Sequence, residues 1–109
     1  MKLTIGHMNY SVLPMREDDD LAAAAFGYCD NEERRIRIAA DQPPMRQLET
    51  LLHEVLHAAL FEYGLRTLPE EERIVLALGA ALAGIIRNNK NFLPVLAALR
   101  AGASFQEAK

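Results

Sequence analysis

An α+β fold is expected for this chain: a small antiparallel sheet of about three strands packed on two helices, with a short helix at the C-terminal end. Two observations predict it. Residues 1–40 carry short alternating or β-branched runs broken by Gly, Asn and Pro, the pattern of strands and turns. Residues 45–101 are instead dominated by Leu, Ala, Glu and Arg with apolar positions three and four apart, the pattern of helices. With 109 residues, half of them apolar and a quarter charged, the chain has the size and balance of one small globular domain spanning 1–109.

Lys2 to Ile5 and Tyr10 to Leu13 read as short strands, punctuated by Gly6, Asn9 and Pro14. Arg16-Glu17-Asp18-Asp19-Asp20 is a charge run expected to form an exposed turn. Ala22 to Cys29 mixes alanines, which favour helix, with Phe26-Gly27-Tyr28-Cys29, which favours strand; a strand ending at the turn pair Asp30-Asn31 is the expectation. Arg34 to Ala39 then alternates charged and apolar residues, as a half-buried strand does, and completes a hairpin. Pro43 and Pro44 suit the first turn of a helix running from about Met45 to Tyr63 and stopping at Gly64. Pro69 opens a second helix to about Asn89, with Gly84 as a point of interruption. Its uncharged middle, Ile74 to Ile86, predicts the most buried element of the fold. A last short helix is expected over Pro94 to Arg100, and a frayed tail from Ser104.

The net charge of −3 argues against nucleic acid as the main partner. Arg34, Arg35 and Arg37 cluster, but Asp30, Glu32, Glu33 and Asp41 surround them, so they read as a solvated strand face. A single cysteine, Cys29, excludes an intramolecular disulfide. The chain opens without the apolar core of a secretory signal, and Ile74 to Ile86 falls short of the ~18 residues of a membrane span. No membrane partner and a reducing cytoplasm are therefore the expectation.

The chemistry concentrates in Thr50 to Phe61, which contains the pattern His53-Glu54-x-x-His57. At about 100° per helical residue, His53 and His57 lie roughly 40° apart on one face, with Glu54 on its flank. Two imidazoles one turn apart can share a zinc ion, and the carboxylate beside them can reach a water on that ion. Such an ion lowers the pKa of its water to about 7, and the Glu can take the proton during attack on a carbonyl. The pair is embedded in Leu51, Leu52, Val55, Leu56, Ala58, Ala59, Leu60 and Phe61, so this helix should be buried. Buried His and Glu side chains need partners, and a cation supplies one.

A catalytic zinc usually takes three protein ligands and a water. One extended form of the motif places Gly three residues after His57 and His six after it; Leu60 and Tyr63 stand there instead. The other solution is a Glu from the next helix, and Glu70, Glu71 and Glu72 open that helix 13 to 15 positions after His57. Acidic residues also favour a helix N-terminus through the macrodipole alone. Glu72 stands out because it is nearest the apolar segment and because Gly79, seven residues on, would let this face approach the motif helix closely. Spacing does not exclude Glu71. Cys29 and His7 are weaker candidate ligands, read first as a buried small residue and a surface histidine. Tyr28, Tyr63 and His7 are candidates for stabilising an oxyanion.

A Thr-Leu-Leu-His-Glu-x-x-His helix preceded by an Ile-x-Ile strand and followed by Glu-x-x-Val-x-x-Leu resembles the minimal gluzincin-type zinc metallopeptidases, the ImmA/IrrE-like domains of phages, prophages and mobile elements. The resemblance covers about Gly27 to Asn89. It implies Zn2+ held by His53, His57 and Glu72, with Glu54 as the catalytic base. Val75 and Leu78 match the apolar positions that follow the ligand Glu in that family, which favours Glu72 over Glu71. Several members of the family cleave a repressor and are coupled to a DNA-binding domain, for which this sequence shows no helix-turn-helix pattern. The expected function is hydrolysis of a peptide or protein substrate, with the Arg34 to Ala39 strand as an edge along which an extended peptide is laid. The alternative is a zinc-stabilised module that binds a protein and cuts nothing.

Overall fold

The computed structural model describes residues 1–16 and 26–109, so the turn expected over Arg16 to Asp20, apart from Arg16, and the alanines Ala22–Ala25 lie outside the described residues. Four strands and four helices are found among the described residues. Strands β1 (Lys2–Ile5) and β2 (Met8–Pro14) form an antiparallel hairpin whose turn is made by Gly6 at φ +62°. Strands β3 (Gly27–Asp30) and β4 (Arg35–Ile38) form a second hairpin. Its turn is held by Asp30, whose Oδ1 accepts from the amides of Glu32 and Glu33 at 3.0 Å each.

The α+β class is as expected, but the sheet has four strands and mixed pairing rather than about three antiparallel ones. The order is β1-β2-β4-β3, because the second hairpin returns with β4, not β3, beside β2, and β4 then runs parallel to β2. This corrects the expectation for Arg34 to Ala39. Strand β4 lies inside the sheet with a partner on each side, so it has no free edge for a peptide. The edge strand of this hairpin is β3. Alternation along β4 does hold: Ile36 is fully buried, while Arg37 turns outward and donates from Nη1 to the Pro14 carbonyl at 2.9 Å.

One face of the sheet packs on helix α1 (Pro44–Glu62). Ile5, Tyr10, Ile36 and Ala58 form the centre of the core, with Leu51, Val55 and Ala59 packed against it. Full burial of a side chain such as Ile36 is worth roughly 1.5–3 kcal/mol over leaving it in water. Tyr10 carries a polar atom into this core and satisfies it: the hydroxyl donates to Glu62 Oε2 at 2.6 Å, and Arg34 Nε donates to the same oxygen at 3.2 Å. Helix α1 starts with proline at its first position, as expected, and ends at Gly64, which takes φ +91° while Leu65 N donates to the Leu60 carbonyl.

Helix α2 (Glu71–Asn88) follows the residue Glu70, at φ +58°, and packs along α1. It runs through Gly84 without a break, but it is not the most buried element. Val75, Gly79 and Ala83 are buried, whereas Leu76 and Leu78 are 58% and 49% exposed. With the sheet on one side of α1 and α2 on the other, nothing among the described residues covers the outer face of α2. Helix α3 (Phe92–Arg100) begins slightly earlier than expected. The tail expected to fray instead forms a turn of helix, α4 (Phe105–Ala108), because Ser104 and Glu107 make a reciprocal capping box. No helix among the described residues is long and apolar enough to cross a membrane.

Candidate metal centre

Helix α1 carries His53 and His57 one turn apart, and their rings meet edge to face with centroids 4.9 Å apart. Their Nε2 atoms are 3.2 Å from each other. The first turn of α2 brings Glu72 onto both: Oε1 lies 2.9 Å from His53 Nε2, and Oε2 lies 2.8 Å from His57 Nε2. This depends on close helix packing at Gly79, where an added Cβ would sit 3.6 Å from the backbone N and Cα of His53. A larger side chain there would push α2 and its glutamates away from the histidines.

Two imidazole nitrogens and a carboxylate are thus gathered within 4.8 Å of one another. Among the described residues, His53, His57 and Glu72 form the only group of His, Cys, Asp or Glu side chains gathered tightly enough to hold an ion. The structure also separates the two neighbouring glutamates that spacing left open. Glu71 Oε2 lies 2.6 Å from His57 Nδ1, on the opposite side of the ring from the nitrogen that faces Glu72. A carboxylate on the far nitrogen fixes the orientation and tautomer of a metal-binding histidine and raises its basicity.

Glu54 is a buried acid, only 7% exposed, beside this group. Burial pushes its carboxyl above the ordinary range; His53 and His57 oppose that shift and Glu72 adds to it. A carboxylate raised toward neutrality is a better proton acceptor at the working pH than an ordinary surface glutamate.

A cleft of about 600 Å³ opens over these residues. Its walls include Phe26, Tyr28 and Asn31 from the sheet side and Arg46, Glu49 and Leu76 from the helices. The Arg46 guanidinium stacks on the Phe26 ring at 4.9 Å. Of the candidates for oxyanion stabilisation, Tyr28 alone borders the cleft; Tyr63 is 72% exposed at the end of α1, and His7 is exposed in the β1–β2 turn. Cys29 borders the cleft but is not one of the converging donors. Burial first, and the Glu54 charge second, push its thiol up to about 12, so it stays protonated and donates to Asn31 Oδ1 at 3.2 Å. Sequence reasoning missed Arg46, Glu49 and Thr50 as cleft residues. A signal was there: they lie seven, four and three positions before His53, on the same face of α1.

A family model described as the IrrE N-terminal-like domain, Peptidase_M78, matches residues 9–83, more than half of the chain. The chain belongs to this family. Searches of curated proteins and of solved structures gave no significant match. The matched stretch of this M78 domain runs from β2 through the hairpin and α1 to Ala83, the last buried position of α2, and so contains both halves of the cluster. It is a metallopeptidase-family domain, and peptidases of this kind are typically zinc-dependent.

Proposed function

We propose that this M78 domain is a zinc-dependent peptidase with His53, His57 and Glu72 as metal ligands and Glu54 as the general base. The observation that carries the reading is the convergence of those three donors beside a buried carboxylate. The donor set fits the ion: around a tetrahedral zinc with bonds of 2.0–2.1 Å, neighbouring ligand atoms lie roughly 3.3 Å apart. The two Nε2 atoms, 3.2 Å apart, already hold about that spacing, and each has one Glu72 oxygen beside it, Oε1 at 2.9 Å from His53 and Oε2 at 2.8 Å from His57. When bound, the ion would supply an activated water and a Lewis acid for the scissile carbonyl.

The residues of the chain then divide the work. Glu54 accepts the proton of the attacking water and returns it to the departing amine. Glu71 holds the His57 ring by Nδ1. The cleft is lined by β3 on one side and by α1 and α2 on the other, and an extended peptide segment laid in it would reach the metal-binding residues. Gly27 sets how close that strand comes to the motif helix: a Cβ there would lie 2.6 Å from Thr50 Cγ2 and 2.8 Å from the Arg37 carbonyl oxygen. The substrate is accordingly a peptide or protein segment in extended form. A lone protonated thiol accords with a reducing compartment such as the cytoplasm.

The test is Glu54→Gln assayed for both zinc and peptide hydrolysis. Zinc content should stay near that of the wild type while turnover falls by about 10²–10⁴-fold, the usual cost of a lost acid–base group. Unchanged turnover would remove Glu54 from the mechanism. A wild-type protein that holds zinc and binds a partner, yet cleaves no peptide, would favour the non-catalytic binding module.

A further inference from the structure

Helix α2 exposes an apolar stripe on the flank opposite the cleft. At about 100° per residue, Ile74, Leu78, Ala81 and Ile85 fall within an arc of about 60°. All four are exposed, and no charged residue occurs between Arg73 and Arg87. Leu76, which borders the cleft, lies on the other flank, across the buried line of Val75, Gly79 and Ala83, and Glu72 falls on that line itself. The spacing of four, three and four is that of a helix–helix seam. A surface of this kind without a polar break is uncommon on a chain that works alone.

We propose that this stripe is the interface of a symmetric homodimer in which α2 packs antiparallel against α2 of a second copy. Two features select a second copy, and that orientation, over another partner. First, the stripe is self-complementary about a twofold axis passing between Gly79 and Ala80. Ile74 and Ile85 are equally far from that midpoint, as are Leu78 and Ala81, so Ile74 of one copy meets Ile85 of the other and the large Leu78 meets the small Ala81. Second, the charges complement each other only in the antiparallel sense. The helix is preceded by exposed Glu70, which pairs with Arg73 at 3.3 Å at the water-facing surface, and followed by exposed Lys90, for which no ion pair is found among the described residues. Antiparallel packing sets Glu70 near Lys90 of the other copy and opposes the two helix dipoles, whereas parallel packing sets glutamates against glutamates. The cleft remains open on the other flank, so the inference does not rest on the peptidase reading.

Sedimentation of the full chain from about 1 µM to about 200 µM, the range in which modest interfaces assemble, tests the proposal. A reversible dimer is expected. Leu78→Glu, and independently Ala81→Glu, should weaken it at least ~30-fold, as loss of a central apolar contact does, with zinc binding and helical content unchanged. Glu70→Lys should weaken it about 2- to 5-fold, and adding Lys90→Glu should restore it. A wild type that is monomeric throughout, or a dimer indifferent to both stripe substitutions, would overturn the interface. Failure of the double charge swap to restore the dimer would overturn the antiparallel register.

Discussion

Helices α1 and α2 are nearly equal in length, 19 and 18 residues, and both are rich in Leu and Ala, yet they distribute polarity in opposite ways. Helix α1 buries Thr50 and Glu54 alongside Ala58, while α2 buries only Val75, Gly79 and Ala83 and leaves several large apolar side chains in water. The difference follows from position. Helix α1 is covered by the sheet on one side and by α2 on the other, so its polar groups are forced inward, where they must find partners or perturb each other. Among the described residues, helix α2 lies on α1 and meets little else besides the start of α3. The chemistry is therefore built where a helix is covered twice, and a partner surface is left where it is covered once.

The sharpest way to break the comparison is to remove what α2 contributes to α1. Glu72→Ala should reduce zinc from about one per chain to near zero, measured by elemental analysis after exposure to limiting zinc, because two histidines alone make a weak site. Glu71→Gln should be milder: it leaves the donors in place but loosens His57, and zinc affinity should fall about 10–100-fold in a competition titration. A Glu71 variant as damaging as the Glu72 variant would show that the two glutamates have been assigned the wrong roles. Gly27→Ala tests the other cover of α1, at the sheet. The added Cβ meets both Thr50 and a backbone oxygen, so a loss of about 1–3 kcal/mol is expected in urea unfolding.

Smaller effects sharpen the contrast. The Tyr10 hydroxyl, and after it Arg34, holds the Glu62 carboxyl below its ordinary range. A carboxyl lowered by folding contributes stability that is fully present above its unfolded-state pKa and is lost as the pH falls through its folded one. Tyr10→Phe should accordingly cost most above about pH 4.5, the ordinary glutamate value, and flatten the acid limb below it, so that its difference from the wild type shrinks as the pH falls. An acid limb as steep in Tyr10→Phe as in the wild type would show that this pair does not set it. At the small end, Leu76→Gln on the exposed side of α2 should change stability by no more than ~0.5 kcal/mol.

How much of this could be read from the sequence depended on whether a signal was local. The motif spacing, the proline start and glycine stop of α1, and the β3–β4 hairpin are properties of a few adjacent residues, and they stand as expected. The pairing of β4 with β2 rather than an open edge is a contact between segments more than 20 positions apart, on which alternation along β4 is silent. The burial of α2 was overestimated for a related reason. An uncharged run shows that a helix has faces to hide, not how many layers the fold provides to hide them. The closeness of Glu72 to the histidines was legible through Gly79, since a glycine in an apolar helix implies a close neighbour and that neighbour is His53. The contact of Glu71 with His57 Nδ1 was not, because macrodipole, ligand and histidine support all place a glutamate in the same turn.

The most direct measurement is X-ray absorption at the zinc edge on the zinc-loaded chain. Two imidazole nitrogens and carboxylate or water oxygens at about 2.0–2.1 Å, with no sulfur, are expected for an ion between His53, His57 and Glu72. A sulfur shell at about 2.3 Å, which would bring in Cys29, or no imidazole signal in the spectrum, would contradict the account.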